Sequence, residues 1–266
     1  MSQFRKRVSA RQSSQGTASR SQHTESKDED DDVSFTQPTS SQVQRGLEHL
    51  TPTQVDQKVA EVVQYILIKD QKKVPIKRAD IVRQVIKEYK NIYPEIIKRV
   101  NRTFEQVFGL KLVEIDSKNH IYILIKNLEH VEGDPVGTGT GTPKTGLLFV
   151  ILAVIFMRGG VVKESVIWST LKKLRVDQGE RHKDFGDVKK LITEEFVRQK
   201  YLEYARIPHT EPLEFEFRWG LRADKEVSKL KLLTLVAQLH EQDPQTWATQ
   251  HKEATQAEEK GPIATV

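Results

Sequence analysis

Cysteine is absent from the 266 residues of the chain. Its absence excludes disulfide bonds, zinc sites with cysteine ligands and a cysteine nucleophile. A chain without cysteine also carries no thioester and no RING-type zinc centre. The composition is consistent with a reducing compartment, either the cytosol or the nucleus.

Apolar runs long enough to cross a membrane are also missing. The most apolar stretch, GLLFVILAVIFM, occupies residues 146–157, whereas a transmembrane helix needs about 20 residues. The first 40 residues contain no apolar run, so we expect no signal peptide. The sequence therefore predicts no membrane partner, and a buried helix at residues 146–157.

Neither sign of charge dominates, because 42 Lys and Arg stand against 37 Asp and Glu, a net charge of +5. This balance only weakly favours an anionic partner. Residues 1–52 are rich in Ser, Gln, Thr and charge and poor in large apolar side chains, which predicts a disordered tail. Its basic stretch FRKRVSAR serves either nuclear import or nucleic-acid binding, or is simply solvated.

Residues 53–130 have the order of elements of a winged helix. A helix begins near Thr53, and Pro75 then favours a short extended piece. Two more helices follow, and Gly109 is placed to end the third as a left-handed cap. Two apolar strands around a polar turn at residues 116–119 complete a hairpin wing. The apolar stripe of the first helix consists of Val55, Val59, Val62, Val63 and Ile66.

The same order returns later in the chain. Residues 131–145 are rich in Gly and Thr and are predicted to be a linker. Residues 146–248 repeat the helices and the hairpin and add a last helix, with Val162 aligned to Val74 at an offset of 88 residues. Residues 249–266 are predicted to be a disordered tail. The expected fold is mainly α with small β-hairpin wings, as a tandem of two winged helices.

Four stretches resemble the MAGE homology domain, and together they span about residues 53–248. Within that family, the first and last of them are most similar to the member that belongs to the Smc five-six chromosome complex. The stretches are YILIKDQKKVPIKRADIVRQVI, FGLKLVEID with YILI after it, TGLLFVILAVIFMRGG, and LITEEFVRQKYLEYARIPHTEPLEFEFRWG.

This resemblance implies a fold and a set of partners. The fold would be tandem winged helices. The partners would be a RING-type ubiquitin-ligase subunit, the kleisin subunit of the complex, and duplex DNA. The resemblance also implies a role in DNA recombination and repair, on chromatin in the nucleus, for a non-catalytic scaffold that enhances the ligase activity of its RING partner.

Residue patterns typical of an enzyme are not found. The eight histidines form no H-x-x-x-H or H-E-x-x-H pair, so we expect no metal site. No G-x-S-x-G motif occurs, and the Gly-Thr alternation of the linker lacks the Gly-Lys-Ser/Thr ending of a phosphate loop. We therefore expect no catalytic residue and no cofactor.

Lysine and arginine are dense around the second and third helices of the second predicted module. Contacts to DNA phosphates need such side chains and carry no sequence information. The alternative is an ordinary solvated helix face, and the acids Glu194 and Glu195 argue against base-specific reading. A smaller basic cluster, with Lys72 and Lys73, precedes the second helix of the first module. The candidate DNA-binding residues are Lys172, Lys173, Lys189, Lys190, Arg198 and Lys200.

Two apolar groups are candidates for partner binding. Leu147 and Leu148 open the apolar helix, and the resemblance places a dileucine for the ligase partner near them. Phe215, Phe217 and Trp219 alternate on the last strand, where an exposed face would be a partner patch. The alternative for both groups is the core of the module.

The function predicted from these observations is a scaffold subunit of a chromosome-maintenance complex. A first rival is a sequence-specific winged-helix transcription regulator. A second rival is a MAGE-type ubiquitin-ligase adaptor that acts away from DNA.

Overall fold

The computed structural model describes residues 38–126, 142–179 and 181–259. They form two modules, and each module combines helices with a three-stranded antiparallel sheet. The elements of the first module are α1 (Ser40–Glu48), α2 (Pro52–Gln71), β1 (Ile76–Lys77), α3 (Arg78–Ile81), a π-helical turn (Val82–Ile86), a 3-10 segment (Lys87–Ile92), α4 (Tyr93–Thr103), a second π-helical turn (Phe104–Phe108), β2 (Leu110–Asp116) and β3 (Ile121–Lys126).

Local chemistry explains where the helices of the first module begin and end. Thr51 and Gln54 form a capping box, in which each side chain accepts the backbone N–H of the other residue. Pro52 occupies the first turn of α2, where its missing N–H costs nothing. Gly109 ends the helix that contains α4, and its φ of +60° is the predicted left-handed cap.

The second module repeats this plan and adds a helical end. Its elements are α5 (Pro143–Met157), β4 (Val161–Lys163), α6 (Glu164–Lys173), β5 (Arg181–His182), β6 (Gly186–Asp187), α7 (Val188–Lys190), a π-helical turn (Leu191–Glu195), α8 (Phe196–Arg198), β7 (Leu202–Arg206), β8 (Phe215–Trp219), α9 (Ala223–Glu226), α10 (Lys229–Leu239), a 3-10 turn (Pro244–Thr246) and α11 (Ala248–Glu259).

The two larger sheets have the same topology. Their strand orders are β1-β3-β2 and β4-β8-β7, so in each sheet the last strand of the hairpin lies between the short first strand and its own hairpin partner. The register pairs Ile76 with Tyr122 in the first sheet and Val162 with Phe217 in the second. This repetition confirms the predicted tandem winged-helix fold.

Each module has its own hydrophobic core. In the first, the predicted stripe of α2 packs against α3 and α4, and Ile66, Ile96 and Phe104 are fully buried. In the second, α5 lies at the centre, with Ile151 and Leu152 fully buried. Six residues of α5 are buried, which confirms the prediction of a buried helix at residues 146–157, although Phe149 is 39% exposed.

Several predicted boundaries differ from the structure. The helix α1 lies inside the predicted tail 1–52, and its Gly46 packs against Ile92. The helix α11 occupies most of the other predicted tail, and α5 begins inside the predicted linker. The rest of these segments, residues 1–37, 127–141 and 260–266, lies outside the described residues. Polar composition indicated disorder at the two tails because α1 has no buried residue and α11 buries only Ala254.

The alignment of the two repeats is also shifted. Lys77 and Lys163 each immediately precede the second helix of their module, so the offset there is 86 residues instead of 88. The core residue of β1 is accordingly Ile76, which matches Val162, whereas Val74 is only partly buried.

Among the helices in the described ranges, none combines the length and the apolar character needed to span a membrane.

Candidate partner and DNA surfaces

A groove of about 670 Å³ runs between α2 and the end of α4. We call it the first-module groove and define it by Val63, Leu67, Ile68, Val107 and Phe108. Ile68 is 55% exposed, Val107 is 70% exposed and Phe108 is 42% exposed. Contiguous apolar exposure of this kind marks interaction sites in soluble proteins. The groove is therefore a candidate surface for a protein partner.

A second concavity, of about 780 Å³, lies between α6 and the hairpin β7–β8. We call it the second-module pocket. Tyr204 stacks on Phe215 with ring centroids 4.8 Å apart, and the exposed Leu213 stands beside them. Trp168 lines the opposite wall. The pocket thus offers an aromatic floor that an apolar side chain of a partner can reach.

Three polar groups inside the second-module pocket, those of Glu164, Trp168 and Tyr204, are hydrogen-bonded to one another. Glu164 accepts hydrogen bonds from Trp168 Nε1 at 2.8 Å and from the Tyr204 hydroxyl at 2.7 Å. Loss of water contact raises the pKa of Tyr204, and the hydrogen bond to Glu164 raises it further, so the phenol stays a donor. Both carboxylate oxygens of Glu164 thus accept a hydrogen bond from a neutral donor, which stabilises the negative charge in the pocket.

The rim of the second-module pocket carries cations as well as the acids Asp177 and Glu214. Lys163, Lys172 and Lys189 line it, and Lys163 forms an ion pair with Glu214 at 2.8 Å. Lys172 and Lys189 make no ion pair within the described residues. A ligand that combines an apolar anchor with acidic groups fits this arrangement.

Most of the predicted partner-binding residues belong to the core instead. Leu147 and Leu148 are 5% and 6% exposed, because both face the inside of the second module from the first turns of α5. Phe217 is fully buried, and Trp219 is 9% exposed and donates its Nε1 hydrogen to the Leu152 carbonyl at 2.9 Å. Their assignment to a partner surface is corrected: they are core residues. Phe215 alone is partly exposed, in the second-module pocket.

The six cations predicted to bind DNA are all exposed, but they do not form one cluster. Lys172 and Lys189 meet at the second-module pocket. Arg198 lies nine residues after Lys189 on one continuous helix, or about 14 Å along the axis. Within the described residues, none of the six forms an ion pair. The full set is Lys172, Lys173, Lys189, Lys190, Arg198 and Lys200.

Glu194 and Glu195 lie on the helix that also carries Lys189 and Arg198, and the two acids have different surroundings. Glu195 forms an ion pair with Lys144 at 3.2 Å, so it serves to hold α5 against this helix. Glu194 is exposed. A carboxylate on the exposed face disfavours close approach to DNA phosphates, so the expectation against deep groove reading stays a prediction.

The two modules meet at a polar seam. Gln199 Nε2 donates to the Lys72 carbonyl at 3.4 Å. Arg222 Nη2 donates to the Lys73 carbonyl at 3.2 Å, and Arg222 Nη1 lies 3.8 Å from Asp70 Oδ1. Lys72 and Lys73 of the first module are thus brought beside the cations that flank Gln199 in the second.

Sequence reasoning missed the first-module groove and the seam. Val107 and Phe108 precede a helix-ending glycine, and apolar residues at such a position resemble ordinary core residues. Arg222 was not singled out either, because a lone arginine in a polar stretch gives no sign of burial. A signal for the groove existed in the apolar residues of α2 that lie outside its buried stripe, Leu67 and Ile68.

Known proteins are similar to this chain, one of them in both sequence and fold. A chain of a solved structure titled "Nse1-Nse3-Nse4 complex" is 60% identical, with a TM-score of 0.74, and the match covers 77% of this chain and all of that one. The human "Non-structural maintenance of chromosomes element 3 homolog" is 53% identical over 77% of this chain and 68% of its own length. Human "Melanoma-associated antigen D2" is 50% identical over 75% of this chain, but over only 33% of its own length.

The family model of the MAGE homology domain matches residues 62–230, from the core of α2 to the start of α10. That range contains both sheets, both concavities and the seam. Since the match spans more than half of the chain, and the human relative is 53% identical over most of both proteins, this chain belongs to the MAGE homology domain family.

Proposed function

We propose that the protein is a non-catalytic scaffold subunit of an SMC-type chromosome-maintenance complex, acting on nuclear chromatin in DNA recombination and repair. In this role it binds a RING-type ubiquitin-ligase subunit, a kleisin subunit and duplex DNA. The observation that carries the proposal is the 60% identity to a chain solved within an Nse1-Nse3-Nse4 complex. Two open surfaces, one on each module, support it by offering a site for each protein partner.

The first-module groove suits the RING subunit. The groove is open along its length between two helices, and apolar side chains project from both walls. An amphipathic helix or the edge of a folded domain lies well in such a groove, because it can present several apolar anchors at once. A folded ligase subunit supplies a surface of this kind.

The second-module pocket suits a segment of the kleisin subunit. The pocket combines a compact aromatic floor with the unpaired cations Lys172 and Lys189. A peptide with one large apolar side chain and neighbouring acids satisfies both features. Buried aromatic anchors surrounded by a polar rim carry most of the energy in interfaces of this type.

A co-purification experiment with both recombinant subunits tests these assignments. We expect Val107→Asp to abolish capture of the RING subunit and to leave capture of the kleisin intact, because a carboxylate in the apolar groove is left unpaired on binding. We expect Leu213→Asp to have the opposite effect. Both residues are exposed, so circular dichroism of the variants should match that of the unaltered chain.

The matched control is Leu239→Asp at the end of α10, where the side chain is 76% exposed and lies outside both concavities. This variant should capture both subunits. If Val107→Asp and Leu213→Asp also capture both subunits, the partners bind elsewhere and the assignment is wrong.

In the same scaffold role, the chain should enhance the ubiquitin-ligase activity of its RING partner. Because the chain has no cysteine, it forms no thioester with ubiquitin, and it acts only by positioning its RING partner. Ubiquitin-chain formation by the RING subunit should increase when the unaltered chain is added. It should not increase with Val107→Asp.

A second candidate is a ubiquitin-ligase adaptor that acts away from DNA. The 50% identity to Melanoma-associated antigen D2, close to the 53% identity to the chromosome-maintenance relative, favours it. Both candidate functions include a RING partner, but only the chromosome subunit also binds duplex DNA. Measurable affinity for unrelated duplexes supports the chromosome subunit, whereas RING capture without duplex affinity supports the adaptor.

A further inference from the structure

Arg222 is the one polar or charged residue that the described part of the chain buries completely. Burial of an unpaired charge costs several kcal/mol, so the surroundings of this guanidinium must compensate it. Its Nη1 donates to Glu226 at 3.0 Å and its Nε donates to the Gln199 carbonyl at 2.9 Å. The ring of Tyr201 lies 5.4 Å from the guanidinium carbon. All of these groups belong to the second module.

The same guanidinium also reaches the first module. Its Nη2 donates to the Lys73 carbonyl, and its Nη1 faces Asp70 Oδ1, which is buried and has no hydrogen-bond donor. The distance of 3.8 Å from Nη1 to that oxygen gives attraction without a hydrogen bond. The other oxygen of Asp70 pairs with Lys73 Nζ at 2.9 Å. Arg222 therefore links the modules through contacts that are additional to those that neutralise it.

The contacts that compensate the charge of Arg222 lie within the second module, so the contacts between the modules can break and form again. When the modules separate, Arg222 keeps Glu226, the Gln199 carbonyl and the ring of Tyr201, and Asp70 keeps Lys73. No charge is left without a partner, so the penalty that normally prevents opening of a buried ion pair does not arise. The seam can therefore hold the modules together and also release them.

Exposed cations from both modules lie around these contacts. The Lys72 carbonyl accepts the hydrogen bond from Gln199, and Gln199 is preceded by Arg198 and followed by Lys200. Lys72, Arg198 and Lys200 are exposed and make no ion pair within the described residues. We call these three residues the seam surface. Its positive charge comes from both modules, with one residue from the first and two from the second, whereas the sequence placed DNA contact mainly in the second.

We propose that duplex DNA is contacted through its phosphates across the seam, by Lys72 of the first module together with Arg198 and Lys200 of the second, and that Arg222 couples DNA affinity to the docking of the modules. The proposal rests on the proposed function of the protein as a DNA-binding subunit. DNA that touches both halves of the seam surface stabilises the docked arrangement. Loss of docking separates the cations and lowers the affinity, although every charge is still present.

Fluorescence anisotropy of the full chain with a labelled duplex of arbitrary sequence tests the surface. Lys72→Glu should weaken binding several-fold, to about the same extent as Arg198→Glu. Each change should make the slope of log affinity against log salt shallower by about 0.9, the contribution of one phosphate. The matched control is Lys90→Glu, an exposed charge reversal in the same module. Lys90 follows Tyr89, whose ring lies beneath Lys58 Nζ, and Lys58 is roughly 20 Å along α2 from Lys72. The Lys90→Glu variant should therefore bind the duplex with unchanged affinity.

A distance measurement tests the coupling. Because the chain has no cysteine, spin labels can be placed only at the introduced pair Gln84→Cys and Gln238→Cys, two exposed positions in different modules. Gln199→Ala removes one of the two side-chain hydrogen bonds across the seam and removes no charge. It should broaden the label distance, weaken duplex binding several-fold and recover the narrow distance when duplex is added. Arg222→Lys, which loses the planar fork, should act in the same direction.

The results of these experiments test the DNA-contacting seam surface and its coupling to module docking separately. If the unaltered chain binds no duplex, both the proposed DNA contact and the seam surface are wrong. If Arg198→Glu weakens binding but Lys72→Glu does not, DNA binding stands and the seam surface is wrong. If Gln199→Ala and Arg222→Lys broaden the distance and leave the affinity unchanged, the coupling is wrong. A folded Gln199→Ala variant keeps this test decisive even if Arg222→Lys does not fold.

Discussion

Gly220 shows how a single residue decides the packing around the seam. Its N–H donates to the Tyr201 carbonyl at 2.8 Å, directly after β8. A Cβ atom at this position would lie 2.3 Å from the Lys200 carbonyl oxygen, and that neighbour is backbone. Only glycine allows the chain to pass here without moving the strand that leads into the hairpin.

The substitution Gly220→Ala should therefore destabilise the protein by about 1–3 kcal/mol, the usual cost of forcing extra atoms into a packed site. Gly146→Ala makes the same chemical change in α5, where the new Cβ meets nothing within 4 Å. It should stabilise the protein by roughly 0.5–1 kcal/mol, because glycine weakens a helix. Urea denaturation of both variants measures the difference. Equal effects would show that the close approach at Gly220 does not exist.

At the scale of elements, α11 shows why a polar segment can still be part of the fold. Its only buried residue in the described range is Ala254, which packs on the core of the second module. The remaining contacts are polar: Glu253 pairs with Lys229 at 2.8 Å, and Gln250 Nε2 donates to the Met157 carbonyl at 3.3 Å. A helix that buries one small residue and otherwise makes polar contacts shows no hydrophobic stripe. The sequence therefore predicted a disordered tail here.

Ala254→Asp should detach α11, because a carboxylate at a fully buried position has no partner. We expect a loss of unfolding free energy on the order of 3 kcal/mol. Ala257→Asp introduces the same charge on an exposed face of the same helix and should leave stability unchanged. Thermal melts followed by circular dichroism distinguish the two. An unaffected melt for Ala254→Asp would mean that α11 contributes nothing to the fold.

At the scale of the whole molecule, two similar modules have acquired different surfaces. The first carries an open apolar groove, the second an aromatic pocket whose rim includes Lys172 and Lys189, and cations of both lie beside the seam. A net charge of only +5 does not make such a protein a strong general binder of polyanions. The proposed affinity for DNA therefore depends on where the cations lie.

Binding to duplex DNA should consequently depend steeply on salt and little on sequence. If three to five phosphates are contacted, the slope of log affinity against log salt is about −2.7 to −4.5. Doubling the salt concentration should then weaken binding by about 6-fold to about 20-fold. Anisotropy titrations on several unrelated duplexes measure both properties. A preference for one duplex that survives added salt would instead support a sequence-specific transcription regulator.

The sequence by itself determined the class of fold and the order of its elements. The α2 stripe, the cap at Gly109 and the two alternating hairpins depend on neighbours close in the chain, so their periodicity is visible without a structure. The lack of cysteine excluded a thioester and a RING-type zinc centre on this chain, because both need cysteine side chains whatever the fold. Residue type also marked the exposed lysines, because long charged side chains are seldom buried.

Only the tertiary structure decided which apolar residues are surface and which cations are neighbours. Leu148 and Val107 have similar side chains, yet one is 6% exposed and the other 70% exposed, because burial depends on elements far away in the chain. Arg222 and Lys73 are 149 residues apart and share a hydrogen bond. Contacts of this separation leave no periodic trace in the sequence, and the groove, the pocket and the seam all depend on them.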